Sequence, residues 1–248
     1  LLVFFAHSFN VESLELKATW WYKLFKERMF QDGDIGVSFF FVLSGFLITY
    51  LLLKEKEFTA KIDVKSFYIR RALRIWPLYY LVLLVGFLIF PMLKQFMGLV
   101  PNETANPWLC FTFLNNFDRI LHVPDAFVIA VLWSVAIEEQ FYLVWPVLFY
   151  FIPSKYTLYL IAAVILSSTL FRYFYMHKVP IELHTFGVIS DMAVGGGMAY
   201  LAIFSDKFNR MIKVSPKWLT LFFYLLFLSI ILFKQEMFQS DWMIVFKR

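Results

Sequence analysis

Residues 33–52 read GDIGVSFFFVLSGFLITYLL. No charged side chain occurs from 35 to 53. A helix needs ~20 mostly apolar residues to cross the hydrocarbon core of a bilayer. In hydrocarbon the backbone must satisfy its own hydrogen bonds, and an unbroken helix does so. This stretch therefore decides the fold class. Similar runs follow outward at about 1–9, 76–93, 129–152, 157–175, 186–204 and 218–233. The expectation is an all-α, polytopic transmembrane helix bundle of about seven spans. No Gly/Ser linker separates the runs, so residues 1–248 read as a single domain. That domain is expected to be incomplete, because the chain opens inside an apolar run with no basic segment before it.

Composition agrees. Apolar residues make up 61% of the chain and charged residues 17%, with a mean hydropathy of +0.69. Soluble domains carry ~25% charged residues, and one of this length could not bury so much apolar surface. A soluble enzyme, a disordered chain and a DNA-binding module are excluded. The lone Cys110 rules out an internal disulfide and a Cys-rich metal site. His122, His177 and His184 show no metal-ligand spacing. Nucleophile-elbow, phosphate-loop, zinc-protease and dinucleotide glycine patterns are all absent.

The net charge of +5 gathers in a few loops and reads as orientation. The 54–75 loop holds Lys54, Lys56, Lys61, Lys65, Arg70, Arg71 and Arg74, and the 205–217 loop holds Lys207, Arg210, Lys213 and Lys217. Both belong on the cytoplasmic side. They share a side only if the short apolar stretch 108–117 does not cross, so that stretch reads as re-entrant or a half-helix. The 10–34 and 94–128 loops then face outward, with His7 near the outer end of the first helix.

Ionisable residues inside apolar spans are costly and are functional candidates by default. His7 can take a proton from a hydroxyl and return it to a leaving group, or it can be a helix-end histidine bonded at the headgroup level. In LWSVAIEEQFYLVWP, residues 132–146, Ser134 and Glu138 share one helix face. Glu138 can orient a protonated histidine or bind a sugar hydroxyl. Alternatively, Glu138 and Glu139 pair with a neighbouring helix, with Arg172 the obvious partner. In SFYIRRALRIWPLYY, residues 66–80, Arg71 and Arg74 lie three apart and can converge on one anion. Guanidinium forks suit phosphate, but basic residues at a helix end are also an ordinary topology signal. Ser44 and Gly45 read first as a close-packing surface, as do Gly195, Gly196 and Gly197 beyond Asp191.

FFFVLSGFLIT, FYIRRALRIWPLYY and LWSVAIEEQFYLVWP, in this order after a first-helix histidine, resemble the acyltransferase-3 membrane family from roughly residue 7 to residue 200. The family O-acylates sugars of surface polysaccharides, peptidoglycan and related acceptors. The resemblance implies that His7 is the catalytic base and that Glu138 belongs to the family's Trp-Ser-x-x-x-Glu motif with Ser134. It places Arg71 and Arg74 on the acyl-CoA donor, and Ser44 and Gly45 in the family's Ser-Gly pair. Asp191 matches an aspartate of a later helix less securely. The family usually carries an Arg or Lys some ten residues before the histidine, further upstream than this chain reaches.

The mechanism implied is transfer of an acetyl or other short acyl group from acyl-CoA, foremost acetyl-CoA, to a carbohydrate hydroxyl. No metal or prosthetic group is expected, and the partners are the donor, a carbohydrate or glycolipid acceptor and the bilayer, with no nucleic acid. Trp20, Trp21 and Trp108 in the outer loops could stack on sugar rings. The setting expected is a bacterial inner membrane. A transporter or flippase for a glycolipid or acyl donor would use the same intramembrane charges, and a structural or sensory membrane protein would need none of them.

Overall fold

A computed structural model describes residues 17–22 and 33–237. Among them there is no β-strand. Beyond a single turn at Trp20–Tyr22, the α-helices are α1 (Asp34–Thr59), α2 (Val64–Leu84), α3 (Phe90–Phe96), α4 (Pro107–Phe111), α5 (Asn115–Leu121) and α6 (Phe127–Ala130). They continue with α7 (Trp133–Phe151), α8 (Thr157–Tyr175), α9 (Thr185–Phe204), α10 (Asp206–Val214) and α11 (Lys217–Met237). Five stretches are long and apolar enough to cross a membrane: Ile35–Thr59, Val64–Phe96, Phe127–Phe151, Ser154–Tyr175 and Thr185–Phe204. A sixth pairs α10 with α11 across a 92° bend. The chain is a multi-pass integral membrane protein. The span expected at 1–9 lies outside the described residues.

The second span is longer than the apolar run at 76–93. The Asp63 carboxylate accepts the backbone N–H of Ser66 and starts the helix at Val64. Arg70, Arg71 and Arg74 therefore ride the same helix ahead of its apolar part. Val64–Phe96 has 33 residues, ~50 Å at 1.5 Å each, against a hydrocarbon core of ~30 Å. Between α2 and α3 lies a π-helical turn, Val85–Ile89, where the Phe90 N–H reaches the Val85 carbonyl. Pro91 follows at once. A proline ring clashes with the carbonyl four residues back, and a widened turn relieves that clash.

Side-chain rungs fix the helix directions. Ser44 meets Glu138, Thr49 meets Trp145, and Lys56 caps the carbonyls of Phe149 and Ile152. Numbers rise together, so α1 and α7 run parallel. Tyr68 meets Leu143 and Trp76 meets Glu139, so α2 runs antiparallel to α7. The chain thus leaves α3 and enters α7 on one side of the bundle, and the 97–132 segment does not cross. The stretch read as re-entrant consists of α4 and α5, turned at Phe113 with φ of 57°.

The core lies between α1, α7 and α9, around Phe41, Phe141, Trp145, Phe149 and Met192. Without a hydrophobic drive between lipid-embedded helices, close contact must supply the attraction. Gly45 and Gly195 provide it, since a Cβ on Gly45 would collide with the Met192 carbonyl, and one on Gly195 with that of Val42. The close-packing role read for these glycines holds.

The outer segment is tied by charge. Glu103 accepts backbone N–H groups of Ala105, Asp125 and Ala126. Lys94 at the top of α3 pairs with Asp125 at 2.5 Å. Buried Asp118 takes the Asn106 N–H and the His122 ring nitrogen.

Candidate functional site

On α7, Glu138 and Tyr142 stand one turn apart, both buried, on the stripe that also carries Phe141 and Trp145. Ser44, buried on α1, faces them. The Ser44 and Tyr142 hydroxyls both donate to Oε1 of Glu138, and their oxygens lie 2.5 Å apart. A buried carboxylate is thus solvated by two hydroxyls from two helices. Ser44 does more than pack. Its neighbour Gly45 lets α9 close on one face of α1, and Ser44 turns toward α7.

Nothing in the composition of the sequence sets Tyr142 apart from the other aromatics. The one signal is its hydroxyl, which needs a partner in an apolar span, and Glu138 lies four residues earlier. Ser134, one turn before Glu138, is partly buried, and its hydroxyl is not in this cluster.

Arg172 does not serve the glutamates. It sits on α8, which packs along α9, and its guanidinium donates to Ser190 at 2.9 Å. Asp191, next to Ser190, is buried on the same helix. The Arg172–Ser190 bond ties α8 to α9. Glu139 instead accepts the Trp76 indole N–H on Oε2 at 2.9 Å.

Arg71 joins this cluster to the basic end of the bundle. Its guanidinium lies 5.4 Å from the Tyr142 ring centroid and 5.7 Å from that of Phe67, a cation–π arrangement. Arg71 also lines two cavities. One, of about 520 Å³, lies between α1 and α2 and carries Lys54, Arg70 and Arg74 on its wall. The other, of about 460 Å³, lies between α2, α7 and the 112–114 turn and includes Trp76, Glu139 and Tyr142. The structure therefore brings Arg71 and Arg74 to one cavity and Arg71 to the carboxylate cluster. His7 lies outside the described residues. Among the described residues, no group of three His, Cys, Asp or Glu side chains is placed to hold a metal ion.

The family model described as an acyltransferase domain matches residues 1–246. Over 124 residues the chain is 40% identical to the peptidoglycan O-acetyltransferase OatA of Listeria monocytogenes strain EGD-e, a match covering 47% of this chain and 20% of that protein. It is 38% identical over 124 residues to a putative O-acetyltransferase of Staphylococcus aureus strain COL, again over 47% and 20%. Its identity to the putative peptidoglycan O-acetyltransferase YrhL of Bacillus subtilis strain 168 is 36% over 124 residues, covering 46% of this chain and 19% of that one. The matched segment spans about a fifth of the length of each relative. No solved structure matches the chain. With the family match running nearly end to end over a bundle that gathers the Ser-Gly, Arg-x-x-Arg and Trp-Ser-x-x-x-Glu motifs, the chain belongs to the acyltransferase-3 family.

Proposed function

We propose that this chain carries the membrane-embedded catalytic centre of an O-acyltransferase that moves an acetyl group from acetyl-CoA to a glycan hydroxyl, peptidoglycan being the leading acceptor. The observation that carries the reading is the buried Glu138, held by Ser44 and Tyr142, with Arg71 spanning from Tyr142 to a cavity rich in arginine. The names of the relatives support O-acetyl transfer to a cell-wall glycan.

In this reading Arg71 and Arg74 hold the donor's phosphates by charge-assisted hydrogen bonds. The acceptor oxygen attacks the thioester carbonyl, the C–S bond breaks, and an oxygen ester forms. His7 takes the acceptor's proton and delivers it to the departing thiolate. Glu138 stabilises the transient imidazolium, an interaction that counts for more in a low-dielectric interior than in water. The donor is a co-substrate, and no resident cofactor takes part. Trp108, 78% exposed on α4, and the stacked pair Trp20 and Trp21 offer aromatic faces to sugar rings. The setting is a bacterial cytoplasmic membrane, with the basic loops inward.

The test is acetyl-CoA-dependent acetylation of glycan by the complete protein carrying His7→Ala or Glu138→Gln. Turnover is expected to vanish in both. Normal turnover at normal expression would end the assignment, and flux of a glycolipid across vesicles without acetylation would favour a transporter.

A further inference from the structure

We propose that Glu139 is a donor-binding residue that accepts an amide N–H from the pantetheine arm of the acyl-CoA. This rests on the donor reading above and extends it to the residue that follows Glu138. Oε2 of Glu139 is fixed by the Trp76 indole. Oε1 is buried and has no hydrogen-bond partner among the described residues. A buried carboxylate oxygen left unsatisfied is expensive, and native structures seldom carry one without a use for it.

The same side chain lines the cavity of about 460 Å³ between α2 and α7. Apart from Arg71, the other polar side chains on that wall are already engaged. Gln140 donates to the Phe113 carbonyl and to Asn116, and accepts from Thr185. The Thr112 hydroxyl donates to the Trp108 carbonyl, and that of Tyr68 to Leu143. Glu139 lines this cavity, and Oε1 is the oxygen of its carboxylate still open to a donor while Oε2 stays on the indole.

The shape of the occupant follows from these walls. A sugar brings several hydroxyls and would find few partners here. A chain of methylenes broken by secondary amides needs apolar walls and one or two acceptors. Arg71 stands between this cavity and the basic one. A donor with its phosphates on Arg70, Arg71 and Arg74 therefore continues past Arg71 into the apolar slot, and its N–H meets Glu139.

The test compares binding of two probes to the complete protein in nanodiscs: coenzyme A, and adenosine 3′,5′-bisphosphate, which keeps the phosphorylated adenosine and lacks the arm. Glu139→Leu is expected to weaken coenzyme A roughly ten- to a hundredfold, the worth of a hydrogen bond to a charged group, and to leave the bisphosphate unchanged. Glu139→Gln keeps an acceptor oxygen and is expected to retain most of the affinity for coenzyme A. Equal weakening of both probes would mean a structural role and overturn the proposal, as would undiminished coenzyme A binding in Glu139→Leu. Failure of the wild-type protein to bind either probe would overturn the donor reading itself, and this inference with it.

Discussion

The guanidinium of Arg71 lies over the ring of Tyr142, 5.4 Å from its centroid, and the hydroxyl at the far end of that ring bonds Glu138. One aromatic side chain therefore stands between a cation that lines both cavities and a buried carboxylate. Its two ends can be tested separately. Tyr142→Phe keeps the ring under Arg71 and removes one of the two hydroxyls on Glu138. Acetyl transfer should fall in kcat by about tenfold or more, the worth of a hydrogen bond to a charged group, with little change in the KM for donor. Tyr142→Ala removes both ends and should raise that KM as well. Steady-state kinetics on the complete protein separates the two.

Arg71→Lys should not be conservative. Lysine keeps the charge but loses the planar fork and its stacking surface. Donor affinity should drop by several-fold or more, and the residual binding should weaken further with salt. Titration at two ionic strengths reads both effects, and affinity equal to wild type would remove Arg71 from the donor site.

Gly45→Ala should separate α1 from α9, because its methyl has nowhere to go except into the Met192 backbone. Overpacking of this kind costs about 1–3 kcal/mol and sometimes more. The same holds for Gly195→Ala against Val42. The two sites share one interface, so the double variant should lose less than the sum. Unfolding in mixed micelles measures each.

The outer segment should respond to acid. Asp125 is held below the usual aspartate range, first by the Lys94 side chain and then by the Asn102 N–H. A carboxyl with a lowered folded-state pKa stabilises above its unfolded value, ~3.9, and loses that contribution as pH falls through the lower one. Proteolysis of the 97–126 segment should therefore quicken below about pH 4, and Asp125→Asn should show a raised rate already at neutral pH.

Cys110 reports on the same segment. Burial pushes its thiol up to about 12, and the side chain is fully enclosed. The thiolate is the reactive form, so maleimide labelling at pH 8 should be slower than in unfolded protein by orders of magnitude. Rapid labelling of the native protein would mean that the segment opens.

The spans were legible because hydrocarbon admits only long apolar helices, and the basic loops fixed their direction. That the 108–117 stretch does not cross followed from charge alone. The start of α2 at Val64 was hidden because membrane-derived reasoning stops where charge begins, whereas the helix continues into it. Glu138, Arg71 and Arg74 stood out as polar residues in or beside apolar runs. Tyr142 did not, since a tyrosine looks ordinary among so many aromatics until its hydroxyl is asked for a partner. The engagement of Ser44 with Glu138 crosses two helices 94 residues apart, and no local pattern encodes such a pairing. Arg172 looked like the mate of the glutamates by charge, but which helix α8 lies against decided otherwise.

The π turn at Val85–Ile89 has a consequence for how the second span can evolve. Each helical residue advances the phase by about 100°, so the extra residue in that turn resets the angle of everything after it. Deleting one residue there would swing Lys94 away from Asp125 and unlatch the outer segment, while Arg71, upstream, would keep its bearing on Tyr142. The bulge acts as a clutch in an otherwise rigid rod. The Arg71 end and the outer end of one helix can be aimed independently, and drift in the outer segment need not disturb the Arg71–Tyr142–Glu138 contacts.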